Sequence, residues 1–264
     1  MTVEAGPTTT TSSSSYSTSS SDTTTNYTYE EDQEEQLHDA QYSLFDGSFI
    51  LEFLKPRPSR NASVLMRATY KHDHPLCKRG KSHAQSPPLH IHFQQSETFS
   101  VVRGSIGTTT TYSAIDTIHT HPDTTTTGAA TKPHEIAPWV PHSFWPDPNA
   151  SQDTTILVWA HPNPDDMDEK MDRLFFQNLL MYVSDVAEGK EKLSVLQVML
   201  TQAWFLGPLR WWIPYQFQAL CALMARCAGM KPLIEKYMSE QEWEEVQERM
   251  NNGGGGKVKR AKTA

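Results

Sequence analysis

The residues best suited to chemistry lie in the segment 87–97, which reads Pro-Pro-Leu-His-Ile-His-Phe-Gln-Gln-Ser-Glu. Side chains alternate along a β-strand, so His90 and His92 on one strand face the same side. Glu97 follows later, and a turn or bulge before it would return its carboxylate to that side. A third imidazole, from His142, would complete a ligand set that suits Fe, Mn, Zn, Cu or Ni. The spacing therefore predicts a site for one divalent metal ion in a β-barrel.

Such a ligand set would not fill the coordination sphere of the ion. Three imidazoles and one carboxylate leave one or two positions for water, substrate or dioxygen, which is typical of catalytic rather than structural sites. Glu97 is therefore a candidate catalytic residue as well as a candidate ligand.

The segment resembles the first motif of the cupin superfamily, which has the form G-x5-H-x-H-x3,4-E-x6-G. His90, His92, Glu97 and Gly104 occupy its last four fixed positions, whereas Ala84 stands where the first glycine is expected.

The second cupin motif, G-x5-P-x-G-x2-H-x3-N, is matched more loosely. His142 fits its histidine, but Trp139 replaces the glycine and Pro146 replaces the asparagine. The resemblance covers about residues 43–162. In its overall organisation the chain is similar to small fungal cupin proteins of secondary-metabolite pathways, some of which are oxidoreductases.

The resemblance implies a mainly β protein, with a single jelly-roll barrel that holds the ion on His90, His92, Glu97 and His142. It also implies a metal-dependent oxidoreductase that tailors a small hydrophobic metabolite of polyketide or terpenoid type. The ion would polarise an enol or carbonyl oxygen, or activate dioxygen. The residues leave open an isomerase or cyclase, a non-catalytic cupin that binds a small molecule, and a membrane-tethered accessory protein that recruits a partner enzyme.

Aromatic residues near the candidate ligands are the candidate lining of a substrate pocket: Phe93, Trp139 and Phe144. Such residues also commonly fill the interior of a small barrel, and we assign Phe99 to that core.

Other histidines compete weakly for a role in the site. The run His119-Thr120-His121 repeats the H-x-H pattern, but no carboxylate follows at a suitable distance, and we interpret it as a surface turn. His134 is expected at the rim. The remaining candidates lie in the loop before the motif, where solvent exposure is the expectation: His72, His74 and His83.

Composition restricts the class of protein. The chain has 264 residues, a net charge of −8 and 37% hydrophobic residues. Residues 1–40 are rich in Thr and Ser and carry eight acidic residues with no Lys or Arg, so we expect a disordered tail. No basic patch suggests nucleic-acid binding. Three cysteines and the lack of a signal-peptide pattern predict a protein that is cytoplasmic and not secreted.

Hydrophobic patterning divides the chain further. Short strand-like runs bounded by turn residues place the β-barrel at 41–162. Apolar residues at helical spacing then predict a helical extension at 163–250, with Ser239 as the N-cap of its last helix and Glu242 as the reciprocal partner. A Gly-rich basic tail occupies 251–264.

The apolar part of this extension, 194–230, has two interpretations. It is either a pair of helices that packs on the barrel or on a second subunit of a homodimer, or a peripheral membrane contact. Its uncharged runs are shorter than the roughly 18 residues of a membrane span, and Pro208, Arg210 and Pro214 interrupt them.

Overall fold

The computed structural model describes residues 37, 40–92, 95–122, 132–161, 168–206 and 213–252. The predicted tails at 1–40 and 251–264 therefore fall almost entirely outside the described residues, as does the candidate pocket residue Phe93.

Two antiparallel sheets form the barrel, with strand orders β1-β2-β3-β9-β4-β7 and β6-β5-β8. The strands are β1 (Tyr42–Leu44), β2 (Phe49–Leu54), β3 (Val64–Tyr70), β4 (Ser96–Arg103), β5 (Ser105–Thr110), β6 (Ile115–Thr120), β7 (His134–Ile136), β8 (His142–Pro146) and β9 (Thr154–His161). The predicted mainly β fold with a helical region after it is confirmed. Two packed antiparallel sheets agree with a jelly roll.

The barrel core follows from the alternation of apolar side chains along these strands. β2, β3 and β9 each direct every second residue inward, and the buried cluster contains Phe49, Leu51, Phe53, Val64, Ala68, Ile156 and Val158. On β4 the inward positions are Glu97, Phe99 and Val101, since they pair with Ala160, Val158 and Ile156. The Glu97 carboxylate thus shares the inner face of β4 with the apolar side chains of Phe99 and Val101.

The local pairing of the first motif differs from the sequence-based expectation. The two strand-like runs at 90–92 and 98–103 predict a hairpin from the sequence, but β4 pairs with β7 and β9 instead. Residue His90 forms an isolated antiparallel bridge to His142. The hairpin prediction is wrong because β9 and β7 occupy both edges of β4, which leaves the histidine segment to pair with the start of β8.

Two further local expectations are corrected. The segment 72–86 is not a plain loop, because it contains a short 3-10 helix at Cys77–Ser82. The run 119–121 is not a surface turn, because His119 and Thr120 are the last residues of β6. Thr120 pairs with Ser105 of β5, which extends the strand to that point.

On the outer face of the smaller sheet, a glycine lies in close contact with a tryptophan ring. Gly107 of β5 lies directly across from Trp145 of β8, and a β-carbon built on Gly107 would lie 2.4 Å from three atoms of the indole ring. The Trp145 Nε1 donates a hydrogen bond to Thr109 Oγ1 at 3.0 Å, which holds the ring over the glycine. Glycine at this position therefore makes room for the ring.

Among the described residues after the barrel, the α-helices are α1 (Glu169–Ala187), α2 (Val195–Leu206), α3 (Ile213–Cys227) and α4 (Glu240–Asn252). The capping box predicted for α4 is confirmed, because the Ser239 amide donates to Glu242 Oε2 at 3.0 Å and the Glu242 amide donates to Ser239 Oγ at 3.4 Å. α1 packs one side on the barrel core and the other on α4, through Met171, Leu174, Trp243 and Val246.

Buried polar side chains of α1 form hydrogen bonds with the backbone of residues 234–237, the segment that leads to α4. Asn178 both donates to and accepts from the backbone of Ile234, at 2.8 and 2.9 Å, as a neighbouring strand would. Gln177 donates to the Tyr237 carbonyl at 2.7 Å. These hydrogen bonds satisfy backbone groups that would otherwise be buried without partners.

α2 and α3 pack against each other through Leu200, Ala222 and Ala225. No helix in the described ranges is both long enough and apolar enough to span a bilayer. α3 leaves Leu220, Leu223 and Met224 exposed at helical spacing. The predicted homodimer and the predicted peripheral membrane contact both stay predictions.

The buried His83 ring is held in one tautomer. Its Nδ1 accepts a hydrogen bond from the Gln85 amide at 3.0 Å, so the proton is on Nε2, which lies 2.9 Å from Ser48 Oγ. The Ser48 hydroxyl in turn donates to the Phe45 carbonyl at 2.7 Å. The neutral ring fits this arrangement, and protonation of Nδ1 would break it.

A loss of stability in acid is therefore expected from His83. Burial, and then the charges of His74 and Arg79, lowers the pKa of His83 to about 4. In the unfolded chain the pKa is about 6.5, so the unfolded state binds the proton first. The free energy of unfolding should fall by about 2–3 kcal/mol as the pH drops from about 6.5 to 4. Urea unfolding at successive pH values should show a shallower decline for His83→Gln, and an identical decline would contradict the assignment.

Candidate metal centre

Two of the candidate ligands are placed by direct backbone pairing. The His90 amide donates to the His142 carbonyl at 3.0 Å, and the His142 amide donates to the His90 carbonyl at 2.9 Å. Residues in such a pair lie directly opposite each other with their side chains on the same face. The two imidazole rings lie 4.3 Å apart between centroids. The first ligand segment and β8 are therefore in register with each other.

Both rings are oriented by a carbonyl two residues earlier in the chain. His90 Nδ1 lies 3.0 Å from the Pro88 carbonyl, and His142 Nδ1 lies 2.9 Å from the Val140 carbonyl. A carbonyl oxygen only accepts, so each Nδ1 carries a hydrogen. Each Nε2 then keeps its lone pair and is the ligand atom that the neutral ring can offer. Metal-binding histidines commonly have their tautomer fixed in this way, by a hydrogen bond from the ring nitrogen that does not bind the metal.

His92 and Glu97 complete the group. Glu97 Oε2 lies 3.0 Å from His142 Nε2 and 3.5 Å from His92 Nε2. His92 Nε2 is buried and makes no hydrogen bond within the described part of the chain. A buried ring nitrogen without a partner is costly unless something else binds it.

The four side chains could hold one metal ion. One ligand atom from each of His90, His92, Glu97 and His142 lies within 4.8 Å of the other three. The other two ring-centroid separations, His90 to His92 and His92 to His142, are 5.0 and 5.1 Å. The donor set, the fixed tautomers and the unsatisfied His92 nitrogen together fit a divalent ion such as Fe, Mn, Zn, Cu or Ni.

The electrostatics of the cluster favour ligation. Burial, together with His142 and His92, lowers the pKa of His90 to about 4, and burial also lowers the pKa of His92. Burial alone would raise the pKa of Glu97, but the hydrogen bond with His142 and the nearby His92 outweigh it and lower that pKa. Neutral imidazoles and an ionised carboxylate are the forms that bind metal.

Glu97 and His142 interact most strongly in this cluster. Burial opposes the charged form of His142, but the hydrogen bond and the charge of Glu97 together raise its pKa. Glu97 therefore favours the protonated form of His142, whose Nε2 then donates to Glu97 Oε2, and ligation through this nitrogen requires the loss of that proton.

The centre opens to solvent on one side. The side chains of His92 and Glu97 are 21% and 16% exposed, whereas that of His142 is only 2% exposed. His90 is half-buried as well, so His142 is the most enclosed of the four side chains. The Trp139 amide donates to the His92 carbonyl at 2.8 Å, which places the backbone of residues 137–140 next to the first ligand segment.

The candidate pocket residues have different environments. Phe144 is buried and packs edge-on against Phe99, with ring centroids 5.1 Å apart, so it belongs to the barrel core. The expected core position of Phe99 is also what the structure shows. Trp139, in contrast, is 55% exposed.

A second histidine pair lies next to Phe99, with His134 exposed and His119 half-buried. The His119 and His134 rings are 4.5 Å apart, and both contact Phe99, which lies two residues after Glu97 on β4. His119 Nε2 also lies 2.8 Å from Thr108 Oγ1. The sequence analysis did not predict this pair. The alternation of side chains along β6 places His119 on the same side of the strand as Thr117, and this pattern could have indicated a strand position for the histidine.

Curated fungal enzymes are similar to this chain. The chain is 29% identical to the probable oxidoreductase virH of Hypocrea virens over 203 residues, and the alignment covers 74% of this chain and 84% of that protein. The oxidoreductase iacF of Pestalotiopsis fici is 27% identical over 55% of this chain and 65% of its own length. The epoxidase atD of Aspergillus terreus is 26% identical over 74% of this chain and 62% of its own. The last two relatives are thus matched over less than two thirds of their length.

Solved structures align over about half of the chain. KdgF from Halomonas sp. aligns with a TM-score of 0.32 and 9% identity over 49% of this chain and 92% of its own. A predicted oxalate decarboxylase from Thermotoga maritima aligns with a TM-score of 0.31 and 14% identity over 48% of this chain and 92% of its own. Scores this low say nothing about the site. No family model matches the chain.

Proposed function

We propose that the protein is a metal-dependent oxidoreductase of the cupin type that acts on a small hydrophobic metabolite. The cluster of His90, His92, Glu97 and His142, with ligand atoms within 4.8 Å of one another, is the observation that carries this proposal. The similarity to fungal oxidoreductases and an epoxidase supports the reaction class.

The residues of the chain have distinct roles in this proposal. Backbone pairing and the carbonyls of Pro88 and Val140 hold two imidazoles in position. His92 and Glu97 form the accessible side, where the substrate binds. Glu97 is also the group able to exchange a proton with the substrate, because its carboxylate is both held by histidine and partly exposed. When bound, the ion supplies a Lewis acid for an enol or carbonyl oxygen or, if redox-active, electrons for dioxygen.

A polyketide- or terpenoid-like substrate is consistent with the apolar surroundings of the centre. The inner face carries Ile136, Phe99 and Phe144 beside the ligands. No second function has an observation of its own, so an isomerase, a cyclase and a non-catalytic binding protein remain the alternatives to be tested.

Mass spectrometry separates these alternatives. The purified, metal-reconstituted protein is incubated with a small-molecule extract of its source organism, with and without oxygen. An oxidoreductase changes a metabolite by one oxygen or two hydrogens, whereas an isomerase or a simple cyclase changes its retention time without changing its mass. We expect the first result from the parent protein and no conversion by His92→Ala.

A matched variant controls for the loss of a histidine. His121→Ala removes a half-buried histidine that is not part of the metal cluster, and it should convert the same metabolite as the parent does. Conversion by His92→Ala at the parent's rate would overturn the proposal. A mass-neutral product would assign the protein to the isomerases or cyclases.

A further inference from the structure

One row of side chains on the smaller sheet joins the metal centre to the surface of the barrel. Ile106 of β5 lies in the barrel core, and side chains alternate along a strand, so Thr110 faces the same inner side. Thr110 pairs with His142 on β8 and with Ile115 on β6. Residues that pair directly across an antiparallel sheet share one face, with β-carbons about 5 Å apart. His142, Thr110 and Ile115 therefore form one row on the inner face, and the row begins at a candidate ligand.

Burial decreases along this row from the ligand outward. The side chain of His142 is 2% exposed, Thr110 is half-buried and Ile115 is 55% exposed. The next row of the inner face shows the same gradient, from the buried Phe144 of β8 to the exposed Thr117 of β6. The inner face of the sheet is thus closed over β8 and open to solvent at β6.

The hairpin that carries Ile115 is attached to the chain beside the ligand. Ile115 is the first residue of β6 and follows the turn at 111–114. The Ala114 amide donates to the Thr111 carbonyl at 3.1 Å, which closes this turn. The Thr111 amide donates to the carbonyl of Pro141 at 2.9 Å, and Pro141 directly precedes His142. The end of the hairpin is therefore held in place relative to the metal centre.

The same strand carries a second exposed isoleucine on its other face. Ile118 is 46% exposed and pairs with Gly107, which lies on the outer face of the sheet. A single exposed isoleucine is common on protein surfaces and indicates no function by itself. Ile115 differs because it lies on the face that carries the candidate ligands, two strand spacings or about 10 Å from His142. A small molecule bound at the centre can span that distance.

We infer that Ile115 is a substrate-contacting residue: a substrate bound at the metal centre by its polar end extends across Thr110 and packs its apolar end on Ile115. This inference rests on the proposed function and specifies the shape of the substrate, with an oxygen donor at one end and an apolar group about two strands away. Covering an exposed isoleucine removes apolar surface from water, which favours binding of such a molecule.

Two metal-binding probes of different apolar length test the inference. Acetohydroxamate and 2-naphthohydroxamate share one chelating group, and only the bicyclic ring of the second extends far enough to reach β6. Their affinities for the metal-loaded protein are measured by titration calorimetry. Ile115→Thr should weaken 2-naphthohydroxamate about fourfold, which is the effect of one buried methylene, and leave acetohydroxamate unchanged. Ile115→Val has the shape of the threonine variant but stays apolar, so it should keep most of the affinity.

Ile118→Thr is the matched control, because it makes the same change on the outer face of the same strand. It should leave the affinities of both probes unchanged. Since both isoleucines are exposed, neither threonine variant should shift the melting temperature by more than about 2 °C.

Each outcome has a distinct meaning. Equal affinities of Ile115→Thr and the parent for 2-naphthohydroxamate would overturn the inference but leave the metal centre intact. Equal weakening by Ile115→Thr and Ile118→Thr would overturn it as well, because the effect would then not depend on the face of the strand. So would a melting temperature of Ile115→Thr several degrees below that of Ile118→Thr, by showing that the side chain is structural. Failure of both probes to bind the metal-treated parent would remove the proposed function itself, and the inference with it.

Discussion

Replacing His92 with alanine is expected to reduce the metal content of the purified protein from about one equivalent per chain to background. His92 Nε2 is buried without a hydrogen-bond partner among the described residues, and it lies 3.5 Å from Glu97 Oε2. Removing this ring leaves two imidazoles and one carboxylate, and the accessible side of the centre loses one of its two ligands. Elemental analysis of protein prepared without chelators measures the effect.

The same variant should separate metal binding from folding. A ligand at a hundredfold excess over its Kd stabilises the folded state by about 2.7 kcal/mol, which corresponds to roughly 5–10 °C in the melting temperature of a domain of this size. The parent should gain this increment when the metal is added, and His92→Ala should not. His121→Ala should behave like the parent in both assays. Full metal occupancy in His92→Ala would contradict the assignment of the centre.

The second large effect is expected from Gly107→Ala, which should destabilise the barrel by about 1–3 kcal/mol. The new methyl group would lie 2.4 Å from three atoms of the Trp145 ring. The ring cannot simply tilt away, because it is buried and its Nε1 is hydrogen-bonded to Thr109. Urea unfolding should detect the loss directly, and near-ultraviolet circular dichroism should report the displaced indole.

Two comparisons test whether the loss of stability in Gly107→Ala comes from the clash with the Trp145 ring. Gly189→Ala introduces a methyl group at a φ of +74° with no atom within 4 Å, so it measures backbone strain without contact. In a Trp145→Leu background, Gly107→Ala should cost much less than it does in the parent, because the ring atoms that it strikes are gone. An equal loss of stability in both backgrounds would mean that Gly107 is required by the backbone conformation and not by the space that the indole needs.

The grouping of the candidate ligands was predictable because its signal is local. The types and spacing of His90, His92 and Glu97 follow from strand periodicity and metal preference, and the structure brings these residues together with His142. The capping box at Ser239 was predictable for the same reason, since both partners lie within four residues.

What the sequence could not indicate depends on residues that are distant in the chain. Nothing in the segment around His90 distinguishes pairing with β4 from pairing with the start of β8, because either partner satisfies the same backbone groups. His119 was misread for a related reason. Pro122 and Asp123 after it indicate a turn, but pairing with β5 keeps the residue in a strand. The positive φ of Trp139, +68°, was likewise not evident, because the sequence has no glycine or asparagine at that position.

The bridge between His90 and His142 has a consequence for how the centre can change over evolution. Backbone hydrogen bonds set the register of these positions, and such bonds do not depend on the side chains that the positions carry. One ligand can therefore be exchanged for another donor while the rest keep their places. Metal preference, and with it the chemistry, can diverge one substitution at a time on an unchanged scaffold.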